Sequence, residues 1–162
     1  MEILITNDDG WGAKGILTIV RIMSSLGHVT VVAPDGARSG MSNAITVAQP
    51  IYLRPLNDPN WGTEEWQKNV TVYTTNGTPS DCVKLAIDVI CEGDSSRINL
   101  LVSGINHGSN AGINVIYSGT MGACFVGAEH GIPSIGYSID DHSPEADFSH
   151  MEKYILELTK HL

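Results

Sequence analysis

The stretch Glu2-Ile3-Leu4-Ile5-Thr6-Asn7-Asp8-Asp9-Gly10 decides the fold of this chain. Its apolar run is too short for a helix and ends at two aspartates and a glycine, which predicts a buried strand followed by a turn. In an open α/β sheet the carboxyl end of such a strand opens into the crevice where ligands bind. Adjacent carboxylates repel each other, by about 1 kcal/mol at ~4 Å in water. We therefore expect Asp8 and Asp9 either to lie in solvent as an acidic turn or to bind a cation.

Helix and strand patterns alternate after this first strand. Apolar residues at helical spacing over 16–26 predict a helix that Gly27 ends, and the β-branched stretch 28–34 predicts a second strand. Further strands are predicted at 70–75, 98–103 and 132–139, with helices that start after Thr78 and after Ser118. A strand–helix–strand unit predicts parallel strands. The fold class is therefore α/β, a Rossmann-like three-layer sandwich with a mostly parallel sheet.

The length of 162 residues suits one domain. We predict a Rossmann-like α/β domain over 1–139, with an excursion from the sheet at 54–69, and a polar linker and terminal helix over 140–162. Residues 44–53 alternate weakly, which predicts a strand or hairpin arm. The excursion holds Trp61 and Trp66, which are expected to pack beneath the loop, to cap a ligand pocket or to bury against another subunit.

The composition of the chain limits which binding partners and which cellular compartment are expected. The net charge of −9 argues against a nucleic acid or an anionic membrane surface as partner. A small anionic substrate stays compatible if a metal supplies local positive charge. The chain start shows no secretory leader and there is no 18-residue apolar span, so we expect a cytoplasmic protein. The three cysteines have no metal-binding spacing, which predicts reduced, partly buried thiols.

Three polar loops follow predicted strands and should meet at one edge of the sheet: 7–10, 38–43 and 104–112. Together they offer the oxygen donors Asp8, Asp9, Ser39, Asn43 and Asn106. Divalent cations such as Mg²⁺ prefer oxygen ligands. The chain has no zinc-protease motif and no cysteine cluster, which argues against zinc. These loops therefore predict a site for a hard cation.

A dinucleotide-binding motif overlaps the same region. Gly10, Gly12 and Gly15 match the G-x-G-x-x-G pattern between a strand and a helix, and Asp35 stands where that motif places its ribose-binding acid. A non-catalytic nucleotide- or NAD-binding module is therefore the alternative function. The carboxylates that precede the glycines count against it, because they would repel a diphosphate that approaches the helix without a cation.

Two stretches at predicted helix N-termini could bind phosphate, residues 76–80 and 117–120, because free backbone N–H groups and the helix dipole favour an anion there. Ordinary helix capping explains the same residues equally well. His107 lies in a site loop, where it is either a surface histidine or a proton donor to a leaving group.

Five motifs occur in a characteristic order: Ile-Leu-Ile-Thr-Asn7-Asp8-Asp9-Gly10, Val-Val-Ala-Pro34-Asp35 with Ser39-Gly40, Gly77-Thr78-Pro79-Ser80-Asp81-Cys82-Val83, Ser103-Gly104-Ile105-Asn106-His-Gly108-Ser-Asn110 and Tyr117-Ser118-Gly119-Thr120. Together they resemble the stationary-phase survival protein SurE family, metal-dependent 5′/3′-nucleotidases and acid phosphatases. The resemblance covers Met1 to about Ser138.

The resemblance implies a phosphomonoesterase that converts nucleoside 5′(3′)-monophosphates to nucleoside and phosphate. One divalent ion, Mg²⁺ or Mn²⁺, would be bound by Asp8, Asp9, Ser39 and Asn106. The catalytic residues would be Asp8, Asp9 and Asn106. The substrate-binding residues would be Asn43, Gly40, Ser118, Gly119 and Thr120. Either a metal-activated water or an aspartate would attack the phosphate, and we favour water.

Two features depart from the family pattern. Val126 stands where members usually carry an acidic residue. Members also continue past the point where this chain stops, with a C-terminal segment that exchanges between subunits. A homodimer or tetramer is expected for such proteins, and most of that segment is expected to be absent here.

Overall fold

The computed structural model describes residues 1–58, 61, 64–143 and 145–162. The strands are β1 (Glu2–Thr6), β2 (His28–Pro34), β3 (Arg54–Pro55), β4 (Val70–Thr75), β5 (Leu100–His107) and β6 (Ser134–Ile139). The helices are α1 (Lys14–Met23), α2 (Pro79–Leu85), α3 (Gly119–Glu129) and α4 (Met151–Thr159). A π-helical turn at Ala86–Ile90 continues α2, and 3₁₀ turns lie at Glu65–Asn69, Ser95–Arg97 and Gly112–Ile116.

One six-stranded sheet has the order β3-β4-β2-β1-β5-β6. Every neighbouring pair is parallel except β3 and β4. The first strand therefore lies in the middle of the sheet, where Ile5 pairs with Val31 of β2 and Thr6 with Ser103 of β5. The prediction of an α/β fold with a mostly parallel sheet is confirmed.

Both faces of β1 are covered, which explains its continuous apolar run. Ile3 and Ile5 belong to a core cluster with residues of α1 and α4. Leu4 points to the opposite face and belongs to a second cluster with residues of α2 and α3. Alternation along one strand thus produces the three layers, two helical and one of sheet.

The prediction of a strand or hairpin arm over 44–53 is wrong, because only Arg54–Pro55 pair with the sheet, antiparallel to β4. Side chains hold the preceding segment instead. The backbone N–H of Thr46 donates to Asp81 over 2.9 Å, and that of Tyr52 donates to Asn76 over 3.0 Å. Backbone groups bound to side chains in this way are not available to a strand ladder.

The tryptophans of the 54–69 excursion pack beneath the loop, which is the first of the three arrangements predicted for them. Trp61 is buried in the cluster around α1, and Trp66 packs against that cluster. Residues 59, 60, 62 and 63 of the excursion, and residue 144 of the predicted linker, lie outside the described residues.

The segment that follows β6 is anchored to the main core. Ala146 and Phe148 are 1% and 2% exposed and lie in the same cluster as β1. The Lys14 ammonium donates a 2.8 Å hydrogen bond to the carbonyl oxygen of Ala146. The division of the chain at residue 139 remains a prediction.

The predicted character of the thiols is confirmed. Cys82, Cys91 and Cys124 are free and buried, and burial raises the pKa of Cys82 and of Cys124 to about 12. Across the described residues, no helix is both long enough and apolar enough to span a membrane.

Candidate active site at the carboxyl end of the sheet

The turn after β1 is closed by Asn7, which is fully buried. Its side-chain amide donates to the carbonyl oxygen of Gly10 over 2.9 Å, and the N–H of Gly10 donates back to Oδ1 over 3.2 Å. Gly10 has φ of +98°, a conformation that side chains disfavour. This reciprocal pair fixes the two intervening aspartates at the end of the central strand.

Asp8 is 5% exposed and lies at the N-terminus of α3. The Thr120 hydroxyl donates to its Oδ1 over 2.7 Å. A Cβ at Gly119 would lie 3.0 Å from the Asp8 Cβ, a tight contact, so the close approach of Asp8 to α3 favours glycine there. Burial raises the pKa of Asp8, the hydrogen bonds from Thr120 oppose that rise, and the charge of Asp9 adds to it.

Asp9 has an unsatisfied acceptor. Its Oδ2 is buried and forms no hydrogen bond with the described residues. Burial raises the pKa of this carboxyl, while the charge and the backbone N–H of His107 lower it. A buried carboxylate oxygen without a partner is costly, so Oδ2 is a candidate ligand for a cation.

A β-bulge in β5 sets the position of Asn106. Ser103 pairs with Gly136 and Asn106 with Ser138, so β5 has one residue more than β6 between these pairs. The Asn106 amide nitrogen donates to the carbonyl oxygens of His107 and Gly108 over 3.0 and 2.9 Å. Because the nitrogen is engaged in its own loop, the amide oxygen Oδ1 is the atom that can serve as a ligand.

The 38–43 loop joins the site through its backbone. The N–H of Arg38 donates to the carbonyl oxygen of Asp8 over 2.6 Å. Ser39 and Gly40 follow and are exposed. A Cβ at Gly122 in α3 would lie 3.0 Å from the Asn43 Oδ1. The loop therefore lies between the aspartates and the first turns of α3.

The predicted substrate-binding turn has well-defined hydrogen bonds of its own. The Ser118 hydroxyl accepts from the N–H of Met121 over 3.1 Å and caps α3, and Thr120 uses its one hydroxyl proton on Asp8. Thr78 caps α2 by accepting from the N–H of Asp81 over 3.1 Å. Ordinary capping thus accounts for the Ser118 and Thr78 hydroxyls, and an anion at α3 would meet the backbone N–H groups of its first turn.

The donor set fits a hard cation better than a soft one. Within the described ranges, no three residues among His, Cys, Asp and Glu are grouped as metal ligands. A metal here would bind the carboxylates of Asp8 and Asp9, with neutral oxygens from Asn106 and Ser39. Mg²⁺ suits such a set because it binds few protein oxygens and keeps several waters.

Comparison with known proteins agrees with this geometry. The family model described as survival protein SurE matches residues 3–162. The chain belongs to the SurE family.

The similar proteins include two that are named 5′-nucleotidase SurE. The one from Porphyromonas gingivalis is 44% identical over 160 residues, which are 99% of this chain and 59% of that protein. The one from Christiangramia forsetii is 46% identical over 160 residues, 99% of this chain and 58% of that protein. The crystal structure of the SurE protein from Aquifex aeolicus superposes with a TM-score of 0.83 at 34% identity and covers 99% of this chain. This chain matches 59% of that structure, so it spans about three-fifths of the length of these SurE proteins.

Val126, where the resemblance implies an acidic residue, is 7% exposed and belongs to the cluster around α2 and α3. The position thus contributes an apolar side chain to the core of this SurE-family chain.

The dinucleotide alternative is not favoured. Asp35, the ribose-binding acid of that motif, is bound within the chain instead: its Oδ1 accepts from the Arg38 guanidinium over 2.8 Å and its Oδ2 accepts from the Tyr52 hydroxyl over 2.7 Å. Gly15 packs so closely on the backbone of β5 that a Cβ there would overlap the carbonyl oxygen of Ile105. In this SurE-family chain the motif positions α1 and the 35–38 turn.

Sequence reasoning missed the buried carboxylate of Asp81, which holds the 44–46 segment against α2. Its Oδ1 accepts from the N–H of Thr46 over 2.9 Å, and its Oδ2 accepts from the Thr46 hydroxyl over 2.7 Å and from the N–H of Thr78 over 2.9 Å. The Thr78-x-x-Asp81 spacing is a capping-box pattern and could have identified this role. Arg38 contacts Asp35 at the same local spacing, whereas its contact with the carbonyl oxygen of Asn76 joins residues 38 positions apart and had no such pattern.

Proposed function

We propose that this protein is a divalent-metal-dependent phosphomonoesterase that hydrolyses nucleoside 5′(3′)-monophosphates to nucleoside and phosphate. The observation that supports it most strongly is the pair of carboxylates at the end of β1. Both have raised pKa values, and Asp9 keeps a buried oxygen without a hydrogen-bond partner. The names of the similar SurE proteins support the nucleotide as substrate.

The proposal gives each residue a role. Asp8, Asp9, Ser39 and Asn106 would hold the metal, either Mg²⁺ or Mn²⁺. When bound, such an ion supplies positive charge that polarises a phosphoryl oxygen and stabilises the charge of the transition state. Asp8 is oriented by Thr120, and Asn106 by the hydrogen bonds of its own loop. These preset positions reduce the reorganisation that the reaction requires.

The substrate phosphate would lie at the N-terminus of α3. The backbone N–H groups of Gly119 and Thr120 belong to the first turn, where helices favour anions. Ser118 and Asn43 would donate from the two sides, since Ser118 keeps its hydroxyl proton while its oxygen caps the helix. Gly40 would allow the phosphate to approach the backbone, because glycine has no side chain to obstruct it. Its φ of +73° is also a conformation that favours glycine. Water is the proposed nucleophile.

The proposal is tested by phosphate release from a panel of nucleoside monophosphates, measured with Mg²⁺ and with Mn²⁺. We expect hydrolysis by the parent protein and a loss of at least about 100-fold in Asp9→Asn. The exposed Asp147→Asn variant serves as a matched control and should retain activity. Equal turnover by the parent and by Asp9→Asn contradicts the proposal.

A cytoplasmic location and a homodimeric or tetrameric state are parts of the same proposal, and the family resemblance supports both. Light scattering after size-exclusion chromatography tests the oligomeric state, and a monomeric mass under all conditions contradicts it.

A further inference from the structure

An exposed apolar rim borders the proposed phosphate position. It consists of Met41, Ile116 and Tyr117, which are 39%, 56% and 63% exposed. Tyr117 directly precedes Ser118, the residue that caps α3. Large apolar side chains in exposed positions mark binding surfaces when they are grouped.

Hydrogen bonds between two loops hold this rim together. The N–H of Ser42 donates to the carbonyl oxygen of Tyr117 over 3.2 Å, and the Ser42 hydroxyl donates to that of Ile116 over 2.6 Å. A Cβ at Gly122 would overlap the carbonyl oxygen of Ser42, so the loop packs directly on α3. These contacts join Ser42, the residue after Met41, to the backbone of Ile116 and Tyr117, so the three rim residues lie on two loops that meet at the helix N-terminus.

The rim is also electrically neutral, which is unusual in a chain with a net charge of −9. The sequence has no Asp, Glu, Lys or Arg from Ser39 to Leu53 or from Gly108 to Ala128. A neutral apolar surface beside a phosphate site does not attract a second charged group. It suits a flat, uncharged group attached to the phosphate by a short linker.

We infer that Tyr117, with Ile116 and Met41, is the platform on which the nucleobase of the substrate packs. The inference rests on the proposed function, because it places the phosphate at α3. A ribose joins base to phosphate in a nucleoside monophosphate, so the base must lie close to the phosphate site, and Tyr117 directly precedes the residue that caps α3. Stacking on an aromatic ring tolerates different bases because every base presents a π-face. The platform therefore separates nucleotides from phosphate esters that have no base, while it accepts purines and pyrimidines alike.

The test compares two substrates that differ only in the base, AMP and ribose 5-phosphate, in the presence of Mg²⁺. We expect Tyr117→Ala to raise the KM for AMP about tenfold and to leave both kcat and the KM for ribose 5-phosphate unchanged. Tyr117→Phe should restore the parent KM, because it keeps the aromatic face. Tyr154→Ala is the matched control, since Tyr154 is also exposed, at 59%, but lies on α4.

Parallel changes for both substrates, or no change for either, overturn the inference. Calorimetry of AMP binding makes the result independent of turnover. If the parent protein hydrolyses neither substrate, the proposed function fails, whereas AMP binding that weakens in Tyr117→Ala still supports the platform. Absence of AMP binding to the parent protein, or AMP binding that is equal in both proteins, overturns it.

Discussion

The hydroxyl of Thr120 donates a 2.7 Å hydrogen bond to Oδ1 of Asp8, and this bond joins residues 112 positions apart in the chain. It connects the end of the central strand to the first turn of α3, and both residues are buried. The predicted metal ligand and the predicted phosphate-binding turn are thus parts of one arrangement.

Loss of this bond should weaken both stability and catalysis. Thr120→Val keeps the shape of the side chain and removes the donor, so we expect a loss of about 1–2 kcal/mol in the free energy of unfolding and a lower kcat. Thr120→Ser keeps the hydroxyl and is the matched control. Urea denaturation and phosphate release measure the two effects, and a Thr120→Val protein that equals Thr120→Ser in both would contradict the role of the bond.

Asp8→Asn should abolish hydrolysis and, without added metal, raise the melting temperature. The raised pKa of Asp8 means that its ionised form destabilises the fold. This penalty is absent at pH below the unfolded value near 3.9, grows as the pH rises through that value, and is complete above the raised folded value. The difference in melting temperature between variant and parent should therefore widen from acid to neutral pH in thermal scans. A variant that melts below the parent at neutral pH contradicts this account.

The opposite pH dependence is expected from Asp81. Although burial raises its pKa, the hydrogen bonds from Thr46 and Thr78 outweigh that effect and the pKa is lowered overall. The carboxylate thus stabilises the fold at pH above the unfolded value, and this contribution is lost as the pH falls through the folded value. Asp81→Asn should lower the free energy of unfolding at pH 7 by about 2–3 kcal/mol, with a smaller difference at acid pH.

The exposed Asp88 lies on the π-helical turn that continues the same helix. Asp88→Asn is therefore the control for Asp81→Asn, and chemical denaturation at several pH values measures both. Equal effects of the two substitutions would show that the hydrogen bonds of Asp81 do not stabilise the fold.

Two glycines of the first loop should respond differently to alanine. A Cβ at Gly15 would overlap the backbone of Ile105, the residue before Asn106, whereas a Cβ at Gly12 would have no atom within 4 Å. We expect Gly15→Ala to cost about 2 kcal/mol or more and Gly12→Ala to be tolerated. Thermal denaturation of both variants measures this difference, and we expect the lower melting temperature for Gly15→Ala. Similar melting temperatures would contradict the packing role of Gly15.

The sequence predicted the parts of the fold that depend on local patterns. The apolar run before Asp8, the capping residue Thr78 and the proline after it each specify an element by themselves. The prediction of a strand over 44–53 is wrong because hydrogen bonds to the side chains of Asp81 and Asn76, rather than the weak alternation of apolar residues, determine the conformation of this segment. Those partners lie more than 20 positions away, so no local pattern contains them.

The same reasoning applies to the candidate site. Paired aspartates at a strand end are visible in the sequence as possible ligands. The bulge that sets Asn106 depends on how β5 meets β6, and the hydrogen bond from Tyr52 to Asp35 joins residues 17 positions apart. The repulsion between the aspartates and a diphosphate follows from the sequence alone. The hydrogen bonds that Asp35 accepts from Arg38 and Tyr52 are visible only in the structure.

The most direct test of the proposed activity is phosphate release from AMP after exhaustive treatment with a chelator, followed by readdition of Mg²⁺ or Mn²⁺. The donor atoms of Asp8, Asp9 and Asn106 predict that hydrolysis stops on chelation, returns with either ion, and does not return in Asp8→Asn. Hydrolysis that persists after complete metal removal would contradict the metal-dependent mechanism.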